Sequence, residues 1–263
     1  MLYSETVNAK TLDLIKELME DEQFKDFVLV GGTSLSLQIG HRKSIDIDLF
    51  TDRSFNAENI KKHLQENYIA TVNSEPVENS VKATIDGIRI DIMSHQFPTV
   101  KPIQVIEGIR LSSMEDIAAM KLNVITRDGT RLKDYIDMYC MLEYKNLNTL
   151  CKAFVDKYPE VNAYMAKASL IYHDEIDFDT ADDYIIKTFD WQKIKERLTL
   201  AVKDPERIFV STGKKFNQSL DHKLQIKKDQ AQNQKQLKEI SPQEESKHSK
   251  KKSHKTNKGR RLR

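Results

Sequence analysis

Two aspartates two residues apart, in Ser44-Ile45-Asp46-Ile47-Asp48-Leu49-Phe50, follow a glycine pair in Gly31-Gly32-Thr33-Ser34. Side chains alternate across a strand, so Asp46 and Asp48 would share one face while Ile45, Ile47 and Leu49 point into a core on the other. Adjacent carboxylates repel each other and bury poorly without a cation between them. Their hard oxygens suit Mg²⁺. A helix entered through glycine offers free N–H groups and partial positive charge at its first turn, which suits a phosphate. Together the two halves have the layout of metal-assisted phosphoryl transfer. Each half alone has a plainer reading: Gly-Gly-Thr-Ser as a capped turn, and Asp-x-Asp as the exposed face of an edge strand.

The elements that must position these residues follow from the apolar pattern. Phe27-Val28-Leu29-Val30 reads as a buried strand ending at Gly31, and Leu35, Leu37 and Ile39 before Gly40 as one short helix. The next strand is expected to carry Asp46 and Asp48. Upstream, Asn8 caps an amphipathic helix over 8–21, and downstream Asn56 to Tyr68 forms a charged helix with Ile60, Leu64 and Tyr68 on one face. Strands are expected at 69–75 and 80–85, followed by a tight Asp86-Gly87 hairpin turn. The strand after it puts Ile88, Ile90 and Ile92 on one face and Arg89, Asp91 and Met93 on the other. Asp91 is thus either a third carboxylate or part of a solvated polar face. Beyond it, Ser112-Ser113-Met114-Glu115-Asp116 has capping-box spacing and opens a helical region. Its helices run to the Asp128-Gly129-Thr130 break, then over 132–144, 147–157, 161–172 and 181–203. The order of elements predicts an α+β fold, a small mixed β-sheet with helices packed on it followed by a helical bundle.

Charge divides the chain. From Gly213 to the end there are 16 Lys or Arg against 5 Asp or Glu, and the preceding 212 residues hold 26 against 35. The basic tail has few large apolar residues and is expected to be disordered. Its runs Lys250-Lys251-Lys252 and Arg260-Arg261-Leu262-Arg263 could bind nucleic acid nonspecifically by counterion release, or serve only solubility. Cys140 and Cys151 lie among apolar residues without partners at ligand spacing and read as small buried hydrophobes. The start, Met1-Leu2-Tyr3-Ser4-Glu5, lacks a signal peptide's regions, and no apolar stretch approaches a membrane span, so a soluble cytoplasmic protein is expected.

Gly31-Gly32-Thr33 followed by Asp46-Ile47-Asp48 resembles the signature of the DNA polymerase β nucleotidyltransferase superfamily. Leu29 to Leu35, His41-Arg42, Ser44 and Asp46 to Phe50 are similar to the AbiEii/AbiGii-type nucleotidyltransferase toxins of bacteria. Met120-Lys121, Arg127 and Lys133-Asp134-Tyr135-Ile136-Asp137-Met138-Tyr139 resemble that family's second block. The resemblance spans roughly residues 20 to 200. Together with the element order and the charge division, it gives an expected nucleotidyltransferase core over 1–112, a helical domain completing the site over 113–204, and the basic tail over 205–263. It implies one or two Mg²⁺ ions on Asp46, Asp48 and Asp91, and an NTP substrate. Gly31, Gly32, Thr33, Ser34, Arg42, Lys121, Arg127, Lys133 and Asp134 would bind the nucleotide.

Within that set, Asp91 would help to activate the attacking hydroxyl, and Lys121 would be a triphosphate ligand, although a lone helix lysine is otherwise solvated. Asp134 and Asp137, three apart on one helix, would orient Lys121 or Arg127 or place the acceptor. Asp134 alone would also fit a helix-dipole role, for which Asp137 lies too far in. His41 reads as a structural loop residue, and His95 has no assigned chemistry. The acceptor implied by the family is the 3′ end of tRNA, with an antitoxin encoded nearby. The alternatives are nucleotide transfer to a protein or small molecule, and a non-catalytic nucleic-acid-binding protein on this scaffold.

Overall fold

A computed structural model describes residues 1–72, 77–178 and 188–210. The apolar run before the glycines forms β1 (Val28–Leu29), inside a seven-stranded mixed sheet. The other strands are β2 (Ile47–Thr51), β3 (Ala70–Val72), β4 (Ser80–Ile85), β5 (Ile88–Ser94), β6 (Gln104–Ile106) and β7 (Ile109–Leu111). Their order across the sheet is β3-β4-β5-β2-β1-β7-β6. The pairs β2–β5 and β1–β7 run parallel, and the other neighbours antiparallel.

One face of the sheet buries Leu29, Ile47, Leu49, Val81, Ile90 and Ile92. Helix α1 (Ala9–Glu20) packs there through Leu14, Ile15 and Leu18, and α3 (Ala57–Asn67) through Ile60 and Leu64. Asn8 and Asn56 cap these helices by accepting from the N–H of Thr11 and Asn59. Asp86 and Gly87 both take positive φ, 49° and 82°, and make the tight β4–β5 turn that Asp-Gly encodes. Glu107-Gly108 does the same between β6 and β7, at φ 53° and 81°.

The second core is helical. It joins α4 (Met114–Arg127), α5 (Leu132–Met141), α6 (Leu147–Lys157), α7 (Ala163–Leu170) and the helix Trp191–Lys203. Ser113 caps α4 by accepting from the N–H of Asp116, and its hydroxyl donates to Asp116 Oδ2 at 2.6 Å. Asp116 also accepts from the N–H groups of Val100 and Lys101 and from Lys157 Nζ, so one buried carboxylate fixes α4, α6 and the loop before β6. Helix α2 (Gly31–Ile39) belongs to both cores: Leu37 enters the sheet core, and Leu35 and Ile39 the helical one.

Two expectations change. Asp46 lies just before β2 rather than within it, and Ile45 is exposed instead of buried. The β6–β7 hairpin goes unseen in the sequence because two three-residue strands give almost no period. Residues 73–75 of the expected third strand, 181–187 of the last expected helix, and the tail from 211 on lie outside the described residues. Among the described residues no helix is long and apolar enough to cross a membrane.

Candidate active site

The glycine pair is explained by what lies against it. A Cβ on Gly31, which has φ +69°, would sit 2.1 Å from Asp48 Oδ2, and one on Gly32 would sit 2.3 Å from Arg42 Nη2. Only hydrogen at these positions lets a carboxylate and a guanidinium press on the start of α2. The helix is anchored to β2 by the Val30 N–H, which donates to the Asp48 carbonyl at 2.9 Å. Its first N–H groups lack intrahelical acceptors, as in any α-helix, so they add positive potential beside Asp48. Gly31→Ala is therefore expected to displace Asp48. Both the left-handed φ and the clash oppose the methyl group, and the cost should be about 1–3 kcal/mol. Thermal unfolding checks this; a variant melting with the wild type would show that Asp48 does not pack there.

Asp48 in β2 and Asp91 in β5 are direct partners in the parallel register. Burial pushes the Asp48 carboxyl up to about 6; Lys121 opposes the rise, while Asp91 and Asp46 add to it. Asp46 is more exposed, and its Oδ1 accepts from Arg89 Nε at 3.0 Å and Nη2 at 2.9 Å. Among the described residues no three His, Cys, Asp or Glu side chains already stand together as a metal cage. Asp48 and Asp91 stand side by side on neighbouring strands, and Asp46 is engaged by Arg89.

Behind α2 lies a buried ionic cluster. Asp137, on α5, is fully buried and accepts from Arg42 Nε at 2.7 Å and Nη2 at 2.9 Å. Lys121 Nζ, on α4, lies 2.8 Å from Asp137 Oδ2 and 2.5 Å from Asp134 Oδ1. His41 Nε2 is 2.8 Å from Asp137 Oδ1. Burial alone would raise the Asp137 carboxyl, but Arg42 and Lys121 hold it well below the usual carboxylate range. Burial lowers His41 despite Asp137, so the ring is neutral and donates from Nε2. Arg131, more exposed, lies 3.3 Å from Asp134 Oδ2. With two carboxylates against three cations, the cluster presents net positive charge next to Asp48.

Arg42, Lys121, Arg131 and Asp134 of this cluster, with Asp46, Asp48 and Asp91, border a cleft of about 770 Å³, within the range typical of small-molecule sites. Gly31, Gly32, Arg42, Lys121 and Arg131 line it near the two carboxylates, and Lys82 and Arg89 line it beyond them. Phe50, Met93, His95 and Tyr158 form an apolar end. His95 stacks on Phe50 at 5.5 Å, and its Nε2 meets Tyr158 Oη at 3.1 Å. Burial pushes the His95 imidazole down to about 4, so this wall is uncharged at neutral pH.

Of the expected site residues, Gly31, Gly32, Arg42, Asp46, Asp48, Asp91, Lys121, Lys133 and Asp134 border the cleft. Thr33, Ser34, Arg127 and Asp137 do not. The Thr33 hydroxyl is buried against the Asp46 carbonyl and Ser44 Oγ, holding the loop before β2. Ser34 Oγ accepts from Gln38 Nε2 at 3.1 Å. Arg127 Nε donates to Asn123 Oδ1 at 3.2 Å on its own helix. Asp137 stands behind Arg42 and Lys121, where it can position them but touch no substrate. Sequence reasoning missed Lys82, Arg89, Arg131 and the Phe50–His95–Tyr158 wall. Strand alternation puts Arg89 on the Asp91 face, and the Asp86-Gly87 hairpin puts β4 beside β5, but that β2 flanks β5 on its other edge cannot be read from pattern.

The class to which this chain belongs is the nucleotidyltransferases. Residues 13–226 match the family described as "Nucleotidyl transferase AbiEii toxin, Type IV TA system", and the chain is a member of that family. The chain is 26% identical over 186 residues to the uncharacterised Aquifex aeolicus protein aq_aa25, covering 68% of this chain and 87% of that one. It is similar to the crystal structure of JHP933 from Helicobacter pylori, with 19% identity and a TM-score of 0.49, covering 84% of this chain and 99% of that one. The Thermotoga maritima CCA-adding enzyme, solved with tRNA, is a more distant likeness at 14% identity and a TM-score of 0.32, covering 75% and 68%.

Proposed function

We propose that the chain transfers a nucleotide from an NTP to an acceptor hydroxyl with the help of Mg²⁺, that the acceptor is the 3′ end of an RNA such as tRNA, and that the enzyme is the toxin of a toxin–antitoxin or phage-defence pair. The observation that carries this reading is the Asp48–Asp91 register pair beside the glycine-entered helix and the Lys121–Arg42 cluster. Mg²⁺ is commonly bound by one or two carboxylates plus substrate phosphates and water. Asp48 and Asp91 fit that demand, with Asp46 adjoining, and the raised Asp48 carboxyl marks a place that favours a cation. When bound, the metal would neutralise phosphate charge and orient the α-phosphorus.

The chain's own groups do the rest. The first turn of α2, Lys121, Arg42 and Arg131 supply positive charge for the β- and γ-phosphates. Asp91 takes the proton of the acceptor hydroxyl. The acceptor oxygen bonds to the α-phosphorus, the bond from that phosphorus to the α–β bridging oxygen breaks, and pyrophosphate leaves. The Phe50–His95–Tyr158 wall offers a neutral surface on which a base can stack. The family's description as a Type IV TA toxin supports the toxin role and a cognate antitoxin.

The test is to incubate the full-length protein with each α-labelled NTP and total tRNA, with Mg²⁺ or with EDTA. Label is expected on RNA, only with metal, and with one base preferred. Label on protein alone would reassign the acceptor. No label anywhere, with RNA still bound, would make the chain a binding protein on this scaffold.

A further inference from the structure

In-line displacement places the attacking oxygen and the leaving pyrophosphate on opposite sides of the α-phosphorus. If the transfer proposed above holds, this stereochemistry divides the cleft. Sheet order puts β1, and the start of α2 that follows it, on one side of Asp48, and puts β5 and then β4 on the other. Arg42 against Gly32, and Lys121 joined to Arg42 through Asp137, belong to the α2 side. The leaving pyrophosphate therefore lies toward α2, and the acceptor must come in over Asp91.

Two cations stand there. Lys82, on β4, is the direct partner of Asp91 in the antiparallel register. Its neighbours Val81 and Ala83 are buried in the sheet core, so Lys82 faces the cleft, which it lines. Two strand spacings separate its Cα from that of Asp48, about 10 Å, within reach of a long side chain. Arg89 lies on the same face of β5, two residues before Asp91, with its guanidinium on Asp46. A protein hydroxyl brings no charge of its own to this spot, whereas a nucleic-acid 3′ end brings a phosphodiester one linkage behind the attacking oxygen. We propose that the β4–β5 hairpin is the acceptor subsite, with Lys82 and Arg89 holding the phosphodiester adjoining the attacking hydroxyl. Both are positioning residues, because neither acts on the reacting phosphorus.

The experiment pairs Lys82→Gln in the full-length chain with an RNA acceptor whose last internucleotide phosphate is replaced by an uncharged methylphosphonate. Wild type is expected to show a KM for the ordinary acceptor about tenfold below that for the neutral one, as for a lost charge-assisted contact. In Lys82→Gln the two KM values should converge to within about twofold, a coupling between side chain and phosphate. The Kd for Mg·NTP should stay at the wild-type value, and Lys82→Arg should restore the preference. Arg89→Gln should reduce the same ratio, with Mg²⁺ affinity measured alongside because Arg89 also contacts Asp46. A Lys82→Gln enzyme that keeps the full wild-type ratio, or that loses NTP affinity instead, overturns the assignment. Failure of the transfer reading looks different: wild type then labels no acceptor, and both proposals fall.

Discussion

Asp48→Asn is expected to abolish nucleotide transfer while making the metal-free protein more stable. The activity loss should reach at least about 10²–10³-fold, because in the proposed transfer the substitution deletes charge that would hold the cation at the transition state. The stability gain follows from the raised carboxyl. In the native protein Asp48 titrates at about 6, against an ordinary value of 3.8. Between those values the native state holds more protons than the unfolded chain, so wild-type stability falls as pH rises from about 4 to 6 and stays lower above that. A shift of about two units corresponds to about 1–3 kcal/mol, and Asn escapes it. Unfolding curves at pH 4.5 and 8 without metal should show wild type losing stability across the interval and Asp48→Asn losing less. Added Mg²⁺ should stabilise wild type at pH 8 and leave the variant unmoved. Near-wild-type transfer by Asp48→Asn would remove the proposed role of this carboxylate altogether.

Asp137→Asn should act in the opposite direction on stability. The wild-type carboxylate receives Arg42 in bidentate fashion and also meets Lys121 and His41, all out of solvent. Removing its charge leaves two buried cations with only Asp134 between them, a loss of about 3–5 kcal/mol. Because Asp137 is held well below 3.8, its contribution is present above pH about 4 and fades as pH falls below that. Wild type and variant should therefore differ widely at pH 7 and converge at strongly acidic pH. Urea unfolding at several pH values measures this, and the variant should bind NTP more weakly because Arg42 and Lys121 lose their anchor. Equal unfolding midpoints at pH 7 would show that the cluster does not hold the helices together.

The local parts of this architecture were readable from the residues. Gly31-Gly32 opens a helix, Asp86-Gly87 turns a hairpin, Ser113 caps α4 and α6 spans 147–157, because each rests on backbone preferences within a few residues. Asp91 could be nominated from strand alternation but not distinguished from a solvated acid. What distinguishes it geometrically is the β2–β5 register, a contact between distant segments that no local period encodes. Lys82 beside Asp91 is set locally by the Asp86-Gly87 turn, but only the β2–β5 register brings that pair to Asp48. The absence of such tertiary contacts from the pattern also made Thr33 and Ser34 look like ligands, although their side chains turn into the protein. Sequence pattern names the residues on a face; neighbours across strands come from topology.

The parallel pairing of Leu29 with Leu111 has a kinetic meaning. Ser112 N–H donates to the Leu29 carbonyl, and Ser113 then starts α4, so this one pairing sets Lys121 beside the glycines. It closes a long stretch of chain, and such contacts form slowly because the loop's entropy must be lost first. A nascent chain emerging N-terminus first carries Gly31, Asp48 and Asp91 well before the strand that brings α4 to them. The cleft therefore cannot form before Leu111 and α4 have been made, and no fragment ending before Leu111 contains it.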